Sequence, residues 1–237
     1  MPDSDDFLSP PLAHWPLPRA LPGAVLYSSQ FASERIAEDA FTRHAVPLPA
    51  NIARSVAKRR AEYLAGRLCA RAAIAQLNGA PAIPSTGEDR APVWPQGLCG
   101  SITHSDGWAA AVVAQSGDWR GLGLDVEHLL DEQRALRLAR EILTAGELTR
   151  LDPQQAALQV TLTFSIKESL FKALYPLVRQ RFYFEHAELL EWSADGMARL
   201  RLLTDLSEEW RQGCEVDGQF SLSDDRLLSL VAIPARA

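Results

Sequence analysis

The sequence predicts an α+β fold laid out as two halves with the same plan. Three observations carry this. Runs of β-forming residues alternate with long helical stretches. The most turn-like break near the middle is Ser116-Gly117-Asp118-Trp119-Arg120. On each side of that break the chain reads as one strand, then long helices, then a meander of strands. No sequence repeat accompanies the plan, so any duplication is architectural. The expected organisation is a Pro-rich arm over residues 1–22, an N-terminal half over 23–118 and a C-terminal half over 119–237.

The arm carries Pro2, Pro10, Pro11, Pro16, Pro18 and Pro22. That density prevents a regular helix or central strand, so the arm reads as extended chain laid on the surface or partly disordered. Residues 23–31 form a first strand. Residues 33–44 read as a short helix with Ser33 as N-cap, ended by Pro47-Leu48-Pro49. Residues 52–77 are Ala-rich and free of proline, and give the longest helix. It carries Arg54, Lys58, Arg59, Arg60, Arg67 and Arg71 against Glu62 alone. A charge run is normally a solvated face, but this one lacks balancing acids and so suits an anion. After a loop over 78–96, two strands over 98–103 and 108–115 flank a turn at His104-Ser105-Asp106-Gly107. The second is apolar on both faces and should be buried. The second half reads as a strand over 121–127 and helices over 131–142, 144–151 and 153–177. Strands then follow over 182–191, 198–203, 215–223 and 227–233.

The chain has 237 residues and 47% hydrophobic content, enough for a sizeable core in one large domain or two small fused ones. A net charge of -6 argues against bulk nucleic-acid binding. Cys69, Cys99 and Cys214 show no metal spacing, and their odd number argues against a disulfide framework, which points to a reducing cytoplasm. The N-terminus bears acids where a signal peptide needs bases, and no apolar run reaches membrane-spanning length. A soluble cytoplasmic protein is expected, with no membrane and no nucleic acid among its partners.

Three stretches carry chemistry. In Gly121–Glu127 the residues alternate. Leu122, Leu124 and Val126 take one face; Gly123, Asp125 and Glu127 take the other. Two carboxylates roughly 7 Å apart on one face repel unless a cation lies between them. Oxygen-only ligands favour Mg²⁺, or Mn²⁺, over zinc. Gly123, with no side chain, leaves room for a ligand beside the acids in this reading. The strand taken alone reads equally well as an end with two solvated acids. In the helix through residues 163–174, Phe164, Phe171, Tyr175 and Val178 form an apolar stripe with Ser165, Glu168 and Lys172 along one edge and Lys167 on the other. Glu168 at the core rim could add a third carboxylate; Glu168–Lys172 could also be an ordinary helix pair. In residues 90–104, Arg90 precedes a Pro-rich loop, and Ser101, Thr103 and His104 offer donors suited to phosphate oxygens. The same residues would also serve an alternating strand running into a turn. No G-x-S-x-G, Walker A or H-E-x-x-H motif is present.

Together these stretches resemble the Sfp-type 4′-phosphopantetheinyl transferases, in the branch of enterobactin synthase component D and the pseudomonad carrier-protein enzymes. The resemblance rests on Leu122-Gly123-Leu124-Asp125-Val126-Glu127 and on Phe164-Ser165-Ile166-Lys167-Glu168-Ser169-Leu170-Phe171-Lys172. It extends to Lys58/Arg59/Arg60 through Arg67 and to Pro92 through His104. It covers residues 50–235 and leaves out the Pro-rich arm.

The resemblance implies a pseudo-twofold pair of α/β halves, each a small, mostly antiparallel sheet with a long helix, and coenzyme A bound in the cleft between them. It implies Mg²⁺ ligation by Asp125, Glu127 and Glu168, and contacts to coenzyme A from Arg59, Arg67, Arg90, Ser101, Thr103, His104, Asp125, Lys167 and Lys172. Arg60, next to Arg59, points about 100° away. The implied reaction moves the 4′-phosphopantetheine of coenzyme A to a serine of an apo acyl carrier protein or a peptidyl or aryl carrier domain, releasing 3′,5′-ADP. Asp125, Glu127, Glu168 and Lys172 would form its catalytic set, Glu168 as base directly or through a water and Lys172 on the leaving phosphate. The carrier could belong to siderophore, fatty-acid, polyketide or peptide synthesis. Exposed apolar residues over 129–138 and 148–158 are candidates for docking it, unless they are core. A monomer is expected. The competing reading is a non-catalytic coenzyme A or nucleotide-binding module of a synthase; a two-metal nuclease would need a basic face.

Overall fold

The computed structural model describes residues 7–236. The first six residues of the expected arm lie outside them. Two compact units divide the chain. Among the described residues, 7–15 and 21–115 make the first, and 16–20 with 116–236 make the second.

In the first unit, β1 (Leu12–Ala13) and β2 (Ala24–Gln30) pair antiparallel. The arm is thus sheet edge rather than loose surface chain, and Phe7 and Leu8 are buried. The helix expected from Ser33 does not form as one piece. A 3₁₀ turn spans Ser33–Arg35, and α1 (Ala40–Arg43) follows separately, with no side-chain cap on either. So short a helix needs tertiary packing, and only Ala40 and Phe41 are buried in α1. The long helix is likewise split into α2 (Ala50–Ala53) and α3 (Ala57–Asn78). Ser55 Oγ donates back to the Asn51 carbonyl at 2.9 Å, and Val56 is extended. Gly79 ends α3 in the left-handed region, φ 73°. Two-residue strands β3 (Ser85–Thr86) and β4 (Pro92–Val93) form a small hairpin. The hairpin of β5 (Leu98–Ser105) and β6 (Trp108–Gln115) completes a four-stranded sheet of order β1-β2-β6-β5. Ala109 to Ala114 of β6 are fully buried, as a strand apolar on both faces requires.

In the second unit, β7 (Trp119–His128) is followed by α4 (Glu132–Ile142), capped by Asp131, and α5 (Ala145–Thr149), with a capping box from Thr144 and Glu147. Then come α6 (Ala156–Val178), a 3₁₀ turn at Phe184–His186, and β8 (Ala187–Trp192). Strands β9 (Met197–Leu202), β10 (Glu215–Ser223) and β11 (Arg226–Pro234) finish an antiparallel sheet of order β7-β11-β10-β9-β8. Each unit is therefore a mostly antiparallel sheet packed with one long helix.

Helix α6 is the core of the second unit. Leu162, Ile166, Leu170 and Leu174 are fully buried in its main cluster, each contributing about 1.5–3 kcal/mol. The expected stripe of Phe164, Phe171, Tyr175 and Val178 is instead the half-buried side. Phe164 packs with the α4 cluster, and Phe171 meets Tyr175 and Phe182 ring to ring. A helix covered on several sides is apolar on several faces, so one stripe could not describe it. Leu129, Leu130, Leu138, Leu148, Leu151 and Leu158 pack against the cores, leaving Leu136 exposed from the expected docking stretches. The three cysteines are free thiols, and burial pushes Cys69 and Cys99 up to about 12. No helix among the described residues is long and apolar enough to cross a membrane.

Candidate active site

The first unit carries a concave pocket of about 410 Å³. Arg59, Glu62, Tyr63 and Arg67 line it from one face of α3, Ile102 and His104 from β5, and Arg90 from the loop between β3 and β4. Arg60 is not among the lining residues. Arg59 Nη1 lies 2.8 Å from His104 Nε2 and 3.5 Å from Glu62 Oε2. Arg67 is 5% exposed, donates to Thr86 Oγ1 at 3.1 Å and lies 4.6 Å over the Tyr63 ring. Its Nε is buried without a partner, and burial lowers its pKa from the ordinary value. Arg90 is exposed and sits at φ 71°, an uncommon conformation for a residue with a side chain. Three guanidinium groups against one carboxylate make this a pocket for an anion.

Ser101 and Thr103 do not join it. Alternation along β5 sends them to the face opposite Ile102 and His104, where both are buried.

The second unit carries an acidic cluster where α6 crosses β7. The crossing needs Gly121 and Gly123. A Cβ on Gly123 would lie 1.8 Å from the Ser169 carbonyl oxygen, and one on Gly121 would lie 2.5 Å from that of Ala173. Gly123 therefore makes room for the helix backbone rather than for a ligand, contrary to the sequence reading. Two residues on, Asp125 receives Lys172 Nζ on Oδ1 at 2.7 Å and Ser165 Oγ on Oδ2 at 2.8 Å. Lys172 also donates to the Leu124 carbonyl at 3.0 Å. Glu127 is pushed up to about 7, first by burial and then by repulsion from Asp125 and Glu168, against the pull of Lys172 and Arg134. Glu168 is also raised, by burial and by Asp125, with Lys172 opposing. Asp125, Glu127, Glu168 and Lys172 are thus brought together. Among the described residues, no three acid, imidazole or thiol groups stand ready-made to hold a metal ion.

Lys167 faces inward. Its Nζ donates to Ile142 O at 3.1 Å, Glu147 Oε2 at 2.7 Å and Phe184 O at 3.0 Å, and these three bonds use all its N–H groups. It lines the pocket beside Glu168, but its ammonium is spent on these three protein acceptors, so it acts as a buried tie from α6 to α5 rather than as a free donor for the implied cofactor contact.

Sequence reading missed three groups of residues. Tyr63 and Thr86 hold Arg67. Ser169 and Ser229 stand behind Asp125. Arg181, Phe182, Tyr183 and Phe184 line a pocket of about 230 Å³ beside Glu168 and Phe171. The visible signals were a lone serine in the apolar run of β11 and the aromatic cluster after α6.

The chain is thus a two-unit α+β protein with a cation-lined pocket in one unit and an acid–lysine cluster in the other. Residues 48–114 match the family model of the 4′-phosphopantetheinyl transferase N-terminal domain, and residues 121–230 that of the 4′-phosphopantetheinyl transferase superfamily. The chain belongs to the 4′-phosphopantetheinyl transferase superfamily. It is 38% identical over 149 residues to the 4′-phosphopantetheinyl transferase Npt of Nocardia iowensis, covering 62% of this chain and 66% of that protein. It is 39% identical over 160 residues to the transferase Svp of Streptomyces mobaraensis, covering 65% and 63%. To enterobactin synthase component D of Salmonella typhi it is 39% identical over 118 residues, covering 49% and 48%. The chain thus spans between about half and two thirds of the length of these relatives.

Proposed function

We propose that the protein transfers 4′-phosphopantetheine from coenzyme A to a serine of an apo carrier protein. The observation that carries this reading is the convergence of Asp125, Glu127, Glu168 and Lys172 where α6 crosses β7. The family membership and the anion pocket on α3 support it.

The donor set fits magnesium. It is made of carboxylate oxygens only, and a bound cation would offset the burial and, after it, the repulsion between acids that raise Glu127. Asp125, Glu127 and Glu168 would hold the ion, which when bound would neutralise charge on the phosphate oxygens. The chain's own residues do the rest. Arg67, fixed by Thr86 and Tyr63, and Arg59 with His104 would bind the phosphate at the adenosine end, with Arg90 at the rim. The aromatic pocket beside Glu168 suits the uncharged pantetheine arm.

The carrier serine oxygen forms a bond to the phosphorus that bears pantetheine, and that phosphorus loses its bond to the bridging oxygen of 3′,5′-ADP. Glu168 takes the serine proton. A carboxylate whose pKa is raised by burial and by Asp125 is a stronger base for this than an ordinary one. Lys172 neutralises the departing phosphate oxygen. Because the nucleophile comes from the partner, no nucleophile motif is needed in this chain.

The carrier is proposed to be an acyl carrier protein or a peptidyl or aryl carrier domain, in line with the similarity to a component of enterobactin synthase. A cytoplasmic monomer of the component D and pseudomonad branch completes the reading. A non-catalytic coenzyme A-binding module competes on one observation, that both Asp125 oxygens already have protein donors. Incubation with coenzyme A, Mg²⁺ and an apo carrier separates the two by mass spectrometry. The transferase adds phosphopantetheine to the carrier and EDTA abolishes the addition. A carrier of unchanged mass, with coenzyme A bound, would leave only the binding module.

A further inference from the structure

Behind Asp125 lies a chain of hydroxyl groups that the proposed chemistry does not use. Asp125 on β7 and Ser229 on β11 are direct cross-strand partners. Ser165 and Ser169, one turn apart on α6, pack against both. All three serines are fully buried. Ser165 Oγ donates to Asp125 Oδ2 at 2.8 Å and lies 2.8 Å from Ser229 Oγ. Ser229 Oγ is in turn 2.8 Å from Ser169 Oγ, which also lies 3.1 Å from the Ser229 carbonyl oxygen as its donor.

These contacts fix a direction. Each hydroxyl has one proton, and a carboxylate oxygen accepts. The Ser165 proton is committed to Asp125, so in the Ser165–Ser229 bond Ser229 donates. The Ser229 proton is then committed to Ser165, so Ser169 donates toward Ser229, shared between its hydroxyl and carbonyl oxygens. The chain runs one way, Ser169 to Ser229 to Ser165 to Asp125. Bonds aligned head to tail polarise one another, so the last donor is stronger than an isolated hydroxyl and its angle is set by the two behind it.

We infer that Ser229 is a positioning residue: acting through Ser165, it fixes the orientation in which Asp125 presents its carboxylate to magnesium, if Asp125 helps to hold that ion as proposed above. Alanine would fill the same seam with no polar group to satisfy, yet all three positions carry a hydroxyl. Orienting partners behind metal ligands have this effect generally.

The test is Mn²⁺ binding, followed by titration in the presence of coenzyme A. The proteins are the wild type, Ser229→Ala, Ser229→Thr, Ser165→Ala and the Ser165→Ala/Ser229→Ala double variant. Ser229→Ala should weaken Mn²⁺ binding about 10-fold and raise the KM for metal, and Ser229→Thr should restore most of it. The double variant should bind Mn²⁺ no more weakly than Ser165→Ala alone, because the Ser229 hydroxyl is linked to the Asp125 carboxylate through Ser165. If Ser229→Ala does not fold, Ser229→Cys, a weak donor of similar size, takes its place. Wild-type affinity in the Ser229 variants, or losses that add in the double variant, would overturn the positioning role while leaving the transferase reading intact. A wild-type protein that neither binds Mn²⁺ nor transfers phosphopantetheine would overturn that reading, and the inference with it.

Discussion

The Nζ of Lys172 stands 2.7 Å from Oδ1 of Asp125, so the cation of α6 is directed onto the acid of β7. The lysine side chain is 28% exposed and the aspartate 7%, which leaves the pair open on the lysine side. Lys172→Ala removes the partner of a buried carboxylate and, on the proposed function, the charge that meets the departing phosphate. Transfer of phosphopantetheine should fall about 100-fold or more, with circular dichroism showing a folded protein. Near wild-type turnover in the mass-spectrometric assay would exclude the role given to Lys172.

Glu127 predicts a pH dependence of stability. Its value is raised from 4.5 to about 7, so between these limits the folded protein holds a proton that the unfolded chain has released. The contribution is fully present below the unfolded value and is lost as pH rises toward the folded one. Thermal melts of the metal-free protein should show the midpoint falling across that window, with Glu168 adding in the same direction. Glu127→Gln should flatten the profile. Mg²⁺ with coenzyme A should raise the midpoint most at the upper end, where the carboxylate is ionised. A midpoint that climbs with pH across the window would contradict the raised value of Glu127.

Lys167 predicts a stability defect rather than a catalytic one. Lys167→Met leaves Glu147 buried beside α6, still accepting from the Thr144 and Leu189 amides but without its cation. Breaking one side of such a pair costs about 3–5 kcal/mol, readable by urea denaturation. Lys167→Met combined with Glu147→Gln should recover part of the loss. A stable Lys167→Met protein with weakened coenzyme A binding would restore the ligand contact that the resemblance implied.

Gly123→Ala should be among the most damaging single changes. The added methyl would meet the Ser169 carbonyl, a backbone atom in the middle of the central helix. Overpacking costs about 1–3 kcal/mol where side chains can yield, and here a backbone must move. The expected outcome is loss of soluble folded protein or a large fall in melting temperature. Gly117→Ala, where nothing lies within 4 Å, is the control and should be silent.

Much of this fold is legible in the chain because burial there follows a simple period. β7 reads apolar on alternate positions, and Leu122, Leu124 and Val126 are buried as that period demands. β6 is apolar throughout and central in its sheet. Capping residues mark α4 and α5 at Asp131 and Thr144. Legibility fails where a residue's environment comes from chain far away. Nothing local separates Lys167, which turns inward to Glu147, from Lys172, which turns to Asp125. Gly123 reads as open space until the helix that fills it is in place. Ser101 and Thr103 look like phosphate donors beside His104, yet strand geometry sends them to the other face. Glu168 and Lys172 could be recognised as a pair, but Ser229, sixty residues further along, contributes only once β11 pairs with β7.

The glycine seam of β7 has one more consequence. Because α6 touches the strand through Ser169 and Ala173 main-chain atoms, no flexible side chain acts as a spacer between them. The separation of the Asp125 backbone from the Lys172 backbone is then a ruler cut from main chain. Warming, solvent changes or substitutions elsewhere in the core can alter the stability of the second unit, but they have few soft joints through which to retune the spacing of the strand and helix that carry its acid and its cation; only the lysine stem bends.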